Sequence, residues 1–229
     1  NDAGILFYGE AIDSLYTLDN IYRLRSNQKG VMMDKTSKKA PDPVAAGAFA
    51  DTVVAEQDKL AGTAINTCTE CDYWYWAVLT GGADANQNTK QFTIHLSDVA
   101  AGGTLSVFLK GVVSGSHPVQ VSVNGQALGQ GTWNNQADYE LRLPVTSAQL
   151  QSGDNTVEVK ALGNSENIFA LDRIEVNYRR LARAVNDRLT LKAERDGPLA
   201  VDGFSTTDLD VFDISNPRKP VHIIGTTVA

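Results

Sequence analysis

The stretch Val119-Gln120-Val121-Ser122-Val123-Asn124-Gly125 decides the fold class. Valines at every second position put three branched side chains on one face of an extended chain, with Gln120 and Ser122 on the other. The Asn-Gly pair supplies the two positive-φ positions of a tight hairpin turn, so the chain folds back on itself as an antiparallel pair. Upstream, the same period of two runs through Phe92, Ile94 and Leu96, with Thr93 and His95 opposite, and Ala101-Gly102-Gly103 is expected to reverse the chain. Leu105, Val107 and Leu109 then alternate with Ser106, Phe108 and Lys110, and Gly115-Ser116 marks a further turn. Downstream, Tyr139, Leu141 and Leu143 precede Pro144, residues 145–150 allow one helical turn, and Gly153-Asp154-Asn155 turns tightly into Val157 and Val159. Ile168 to Tyr178 reads as a longer strand with Leu171, Ile174 and Val176 in its apolar set. Turn chemistry recurs about every eight to twelve residues, with no sustained i, i+3, i+4 stripe, which predicts an all-β antiparallel sandwich.

The ends are less regular. Ile5 to Tyr8, Ile21 to Arg25 and Val31 to Met33 read as strands, followed by a polar loop from Lys35 to Pro43. In Val44 to Gly62 the alanines favour a helix, whereas Phe49, Val53 and Val54 suit a strand, and propensity alone leaves both open. Beyond Tyr178, Arg179, Arg180 and Arg183 form a basic patch. It leads to short expected strands at Leu189–Ala193, Leu199–Val201 and Leu209–Ile214, and Gly225 to Ala229 looks like the start of a linker.

The composition narrows the function. The 229 residues are 42% hydrophobic and 21% charged, enough for at least one full core without staples. Lys+Arg 20 against Asp+Glu 27 gives a formal charge of −7, which repels phosphate backbones and anionic lipid surfaces, so neither nucleic acid nor membrane insertion is expected. No apolar run approaches the roughly 18 residues of a membrane helix. The chain starts at Asn1 rather than Met, as a piece of something larger would. With 2 Cys and 3 His, the usual catalytic reagents are scarce, and no G-x-S-x-G elbow occurs.

Two groups of residues invite attention on their own chemistry. In an extended Tyr73-Trp74-Tyr75-Trp76 the tyrosines face one way and the tryptophans the other. One pair is expected in the core, and the other either joins it or forms a flat platform for sugar rings or a partner domain, with Trp74 and Trp76 the ligand candidates. Trp133-Asn134-Asn135 reads as a polar loop after Gly129-Gln130-Gly131, with Trp133 and Asn134 as ligand contacts or the ring folded back on the sandwich edge. Cys68-Thr69-Glu70-Cys71 lacks the further ligands of a zinc site and the βαβ setting of a redox centre. A local disulfide between Cys68 and Cys71 is preferred, with two thiols as the alternative.

Phe7-Tyr8-Gly9-Glu10, Asp13-Ser14, Tyr16-Thr17 and Asn20-Ile21-Tyr22-Arg23-Leu24, then Asp72-Tyr73-Trp74-Tyr75-Trp76, then Leu209 to Ile214 with Asn216-Pro217 and Pro220-Val221, together resemble the β-sandwich region before the catalytic domain of secreted gingipain-type cysteine peptidases. The resemblance implies a noncatalytic, extracellular or cell-surface domain. That family's His-Gly and later Cys are absent, since His95, His117 and His222 are followed by Leu96, Pro118 and Ile223. It further implies that the peptidase domain, the expected partner in the same parent chain, would begin just after Ala229.

Glu56-Gln57-Asp58-Lys59-Leu60 with Leu171-Asp172-Arg173-Ile174-Glu175-Val176 also resembles carbohydrate-binding modules with a galactose-binding-like jelly roll. In those modules, early acids and a late Asp hold a structural calcium, which makes Glu56, Asp58 and Asp172 the implied ligands and a glycan an implied partner. Both resemblances make Phe49 to Leu60 a strand. The expected architecture is an all-β jelly-roll sandwich over residues 47–180, with N-terminal strands (1–46) packing on it and a small β extension and linker start (181–229). The expected function is an accessory domain of a gingipain-like peptidase, or else a carbohydrate-binding module.

Overall fold

The computed structural model describes residues 7–9, 17, 19–23, 25, 30, 32–37, 47–65, 72–194 and 199–226. Fourteen strands lie among them: β1 (Asp34–Ser37), β2 (Ala48–Glu56), β3 (Leu60–Ala61), β4 (Trp74–Tyr75), β5 (Ala77–Thr80), β6 (Thr89–Leu96), β7 (Val99–Gly111), β8 (Ser116–Val123), β9 (Gln126–Asn134), β10 (Asp138–Val145), β11 (Gly153–Ala161), β12 (Ile168–Leu181), β13 (Val211–Asp213) and β14 (Val221–Ile224). One helical turn, α1, spans Ala85–Asn88. The chain divides into two units, residues 46–203 and residues 1–45 with 204–229.

The larger unit is a jelly-roll sandwich. One sheet runs β10-β7-β12-β2, with β5 also bonded to β12, and the other runs β6-β11-β8-β9. Alternation aims Leu105, Val107 and Leu109 of β7 and Leu141 and Leu143 of β10 at Phe92, Ile94 and Leu96 of β6 and the three valines of β8, all buried in one core. The opposite faces carry polar side chains such as Thr104, Thr156 and Gln120, as one-sided burial of antiparallel sheets requires. Asn124 (φ 48) and Gly125 (φ 78) make the β8–β9 hairpin turn in the conformation their sequence anticipates. The stretch whose local propensity was ambiguous forms β2, because pairing with β12 from Glu56↔Arg173 to Ala48↔Leu181 overrides the helical bias of its alanines.

Three expectations are corrected. Ala101-Gly102-Gly103 does not turn but runs through the interior of β7, and the reversal falls at Ser97-Asp98, with Asp98 at φ 44. The buried Tyr178 hydroxyl pins that turn by accepting from Ser97 N (3.1 Å) and donating to Ser97 O (3.0 Å). The glycines serve close approach instead. A Cβ on Gly102 would lie 2.0 Å from Val145 O, and one on Gly103 2.1 Å from Asn177 O. Second, Trp133 lies in β9 rather than in a loop and is buried. Third, residues 189–193 and 199–201 form no extended strands; that part of the larger unit holds isolated bridges instead, among them Val185↔Arg188 and Arg183↔Asp202.

In the smaller unit, β1 pairs in parallel with β14, and β14 pairs antiparallel with β13. β1 occupies part of the expected polar loop after Met33, and β14 lies beyond the prolines expected to end the last strand. β14 (Val221-His222-Ile223-Ile224) is rich in β-branched residues, whereas β1 carries little local signal and depends on a pairing that joins positions nearly the whole chain apart. His222 stacks on Phe212 (5.1 Å) and lies 3.2 Å from Asp210.

Replacing Gly103 with Ala is expected to destabilise the sandwich by about 2–3 kcal/mol, through backbone displacement in β7 and β12. Equilibrium denaturation measures it, and an unchanged midpoint would return Gly103 to a forgiving turn.

Candidate functional site

The site begins with a defect in β12. Leu171 pairs with Leu109 of β7 and Ile174 with Val107, so three residues of β12 span what two span on β7. The extra residue is a β-bulge that lets Leu171 and Ile174 both reach the core and turns Asp172 and Arg173 out of it. At the same place the other edge of β12 changes partner, from β5 (pairing 168–171) to β2 (pairing 173–181). Asp172 sits at this changeover, beside Glu56 at the end of β2.

A third acid arrives from the segment leading into β4. One carboxylate oxygen each from Glu56, Asp72 and Asp172 lie within 4.8 Å of one another. Oxygens bound on opposite sides of a calcium ion are about 5 Å apart, so the triad fits the spread of a hard cation's ligand sphere. Of the residues expected from the sequence, Glu56 and Asp172 are brought together, and Asp72 joins them. Asp58 stands outside the triad, yet its charge contributes to raising both Glu56 and Asp172. The signal for Asp72 was its place directly before the aromatic run, which drew attention to the rings alone.

Burial and neighbouring acids set the electrostatics of Glu56 and Asp172. Glu56 is raised above the ordinary carboxylate range by burial first, then by Asp172, Asp72 and Asp58. Asp172 is also raised, by burial, against the lowering effect of Arg173. Arg173 Nη1 donates to Asp172 Oδ2 (2.7 Å) and its Nε to Glu175 Oε1 (2.8 Å), while the guanidinium lies 3.7 Å from the centroid of Phe108. The arginine is thus held flat against the sheet and engages only one oxygen of one member of the triad.

The four aromatics after Asp72 do not alternate as expected. β4 pairs with β3 as Leu60↔Tyr75 and Ala61↔Trp74, which buries Tyr75 and exposes Trp74. The chain then bends at Trp76, whose N–H donates to Leu171 O (2.8 Å), and its ring turns inward against Phe92 (4.4 Å). The division is therefore inner Tyr75 and Trp76 against outer Tyr73 and Trp74. The outer rings stack on each other at 5.6 Å and 30°, with 41% and 37% of their surface exposed. Trp74 keeps its position as a platform candidate, and Trp76 is given to packing.

Trp133 is a core ring: it stacks on Tyr139 (4.8 Å, 11°), packs on Phe169, and its indole N–H finds no partner among the described residues. Asn134 is exposed beside it. His117, fully buried against the same indole, bonds Asn167 Oδ1 (3.1 Å) and Val113 O (3.0 Å). Asn167 in turn donates to Pro118 O and Leu162 O. This network fixes the two loops that wall an open groove of about 720 Å³, lined by Val113, Ser114, Pro118, Asn164 and Glu166 among others. The expected ligand residues do not line it. Cys68 and Cys71 lie outside the described residues.

No family model and no curated protein matches the chain. Among solved structures, it is similar to dimeric latent PorU from Porphyromonas gingivalis, at 12% identity and a TM-score of 0.56, over 86% of this chain and 19% of that one. It also overlaps the CBM36-1 domain of a multidomain xylanase from the hindgut metagenome of Trinervitermes trinervoides, at 12% identity and a TM-score of 0.38, over 55% of this chain and 96% of that one. A further overlap is with a carbohydrate-binding module CBM36 in complex with calcium and xylotriose, at 15% identity and a TM-score of 0.37, over 56% of this chain and 98% of that one. The chain thus spans 19% of the PorU chain, and its likeness to PorU is one of fold.

Proposed function

We propose that this chain is a noncatalytic accessory domain of a secreted gingipain-like cysteine peptidase, packing on the catalytic domain of the same parent and assisting it. The observation that carries the reading is the PorU-like fold over 86% of the chain, joined to the motif order that resembles the pre-catalytic region of such peptidases. The histidines suit a structural role: His95 pairs with Asp154 on the surface (2.8 Å), His117 closes a buried network, and His222 packs on Phe212. No helix among the described residues is long and apolar enough to cross a membrane. Exposed Leu60, Tyr73, Trp74 and Val78 are apolar surface of the kind that a neighbouring domain covers.

The triad and the exposed rings favour a second reading, a carbohydrate-binding module with aromatic stacking and a structural calcium. Glu56, Asp72 and Asp172 would hold the ion, which supplies charge neutralisation and ties the end of β2 to the bulge of β12. Trp74 would offer its face to the C–H side of a sugar ring.

Adding the catalytic domain in trans is expected to slow amide exchange around residues 60–62 and 72–78, and exchange unchanged throughout the chain would overturn the accessory reading. On a glycan array the second reading expects binding that is lost in Trp74→Ala, and a blank array removes it. For the ion, calcium at a hundred times its Kd should raise the melting midpoint over a chelated sample by roughly 5–10 °C.

Without calcium the pH dependence has a definite sign. The folded Glu56 and Asp172 titrate above their unfolded values, so the folded state binds more protons in that window. Their destabilising effect is absent below the unfolded carboxylate range and grows as pH rises through the raised folded values. Chelated protein should therefore lose stability as pH rises from about 4 to 7. Glu56→Gln should flatten that slope and remove most of the calcium response, and a variant keeping both would exclude Glu56 from the site.

A further inference from the structure

The outer face of the five-stranded sheet dips along β7. The residues that alternate outward with the buried Leu105 and Val107 are short, Thr104 and Ser106. Register sets Ser106 opposite Arg142 of β10 on one side and opposite Glu175 of β12 on the other. Thr104 lies one rung along, opposite Pro144 and Asn177, and Asn177 in turn faces Thr52 of β2. Short side chains between longer ones leave a trough of about 350 Å³, with Thr104 and Ser106 on its floor, Glu140 and Arg142 along one wall and Glu175 and Asn177 along the other. Phe108, the next outward residue of β7, carries the Arg173 guanidinium at 3.7 Å, so its outer ring face is already taken.

Ser106 is the anomaly on this face. It keeps only 6% of its surface exposed, yet its hydroxyl lines the trough and makes no hydrogen bond among the described residues. A buried, unpartnered hydroxyl costs stability, and a branched residue would suit a central strand better. The Thr104 hydroxyl is likewise unbonded among the described residues, and Arg142 meets only Glu140, at 3.6 Å, beyond hydrogen-bond reach. The far wall is tied more firmly, with Asn177 donating to Thr52 Oγ1 (3.0 Å) and Glu175 accepting from Arg173 (2.8 Å). Two carboxylates, Glu140 and Glu175, stand against two guanidiniums, Arg142 and Arg173. That balance favours neither a cation nor an anion.

We propose that this trough binds a neutral saccharide, whose hydroxyls donate to Glu140, Glu175 and Asn177 Oδ1 and accept from Ser106, Thr104 and Arg142. Each sugar hydroxyl both donates and accepts, and the lining offers partners of both kinds side by side. With no free ring face in the trough to stack on, hydrogen bonds alone hold the ligand, and the affinity is on the order of millimolar. The inference goes beyond both readings above, since it uses neither the Tyr73–Trp74 face nor an ion and stands if either fails.

The test is a titration of the whole chain with cellotriose, maltotriose and mannotriose, followed through backbone amide shifts. Trigalacturonate serves as the anionic probe and a glucosamine trimer as the cationic one. At least one neutral trisaccharide should move the amides of residues 104–106, 140–142 and 175–177 to saturation. Ser106→Val fills the floor with a good strand former and should weaken that binding by about tenfold or more. Ser106→Ala should weaken it by about three- to tenfold and leave the melting midpoint unchanged or raised, because the hydroxyl has no structural partner to lose. A clear fall of the midpoint in Ser106→Ala would assign the hydroxyl to the fold and overturn the proposal. So would binding of a charged probe alone, or no shift in the trough with any neutral probe. Shifts confined to residues 73–76 would overturn the trough and leave the ring platform standing.

Discussion

Strand β12 is hydrogen-bonded along both edges, and a single extra residue in it governs what the five-stranded sheet can present. A strand in that position must keep its inward residues in phase with β7 on one side and with β5 and then β2 on the other. With strict alternation from Leu171, position 173 would point into the core and Ile174 out of it. The bulge absorbs the conflict: Phe169 and Leu171 before it and Ile174, Val176 and Tyr178 after it are all buried, and the charged Asp172-Arg173 pair sits between them. Because one edge partner ends and another begins at the same point, the displaced carboxylate opens onto the gap between β5 and β2. The acidic triad is thus a consequence of core phasing, with the charges gathered where the sheet is interrupted.

Much of this could be read from the residues. The alternation around Val119–Val123, the Asn-Gly turn and the apolar sets of β6, β7, β8 and β11 depend on local period and turn chemistry, and the structure repeats them with little change. The break in phase between Leu171 and Ile174 is visible in the sequence as well, but only a partner strand gives it meaning as a bulge. Gly102-Gly103 was misleading because glycine serves both turns and close backbone approach, and choosing between them requires knowing that Val145 and Asn177 pass within reach. Trp133 was misleading for a related reason. Its amide and glycine neighbours are loop-like, whereas Gly129 and Gly131 exist to let Leu143, Leu141 and Tyr139 of β10 come close to β9. β1 had the least signal, since its strand character comes from a parallel pairing with a distant segment.

The charge balance around the triad explains why arginine and a cation are not equivalent there. Arg173 is fixed by Phe108, Glu175 and Asp172, and that geometry spends its fork on one triad member and one acid outside it. Glu56 is still raised with Arg173 in place, and the lowering effect of the arginine ranks behind burial and three neighbouring carboxylates. A point charge between the three acids would act on all of them at once, which a planar guanidinium lying on the sheet face cannot do. The arginine therefore moderates the repulsion within the cluster through Asp172.

The aromatic run shows how the same interruption reaches the surface. With β2 ended at Glu56 and β5 beginning only at Ala77, the intervening chain must cross the gap, and β3 and β4 do so as a short ribbon. Trp76 is captured by Leu171 O at the last residue before the bulge and turns inward, which leaves the two rings that follow Asp72 outside. Exposure of Tyr73 and Trp74 is therefore built in by the path of the backbone. A docked catalytic domain and a bound glycan would both meet the same two rings, which stand outside the ribbon of β3 and β4 while Tyr75 and Trp76 pack beneath.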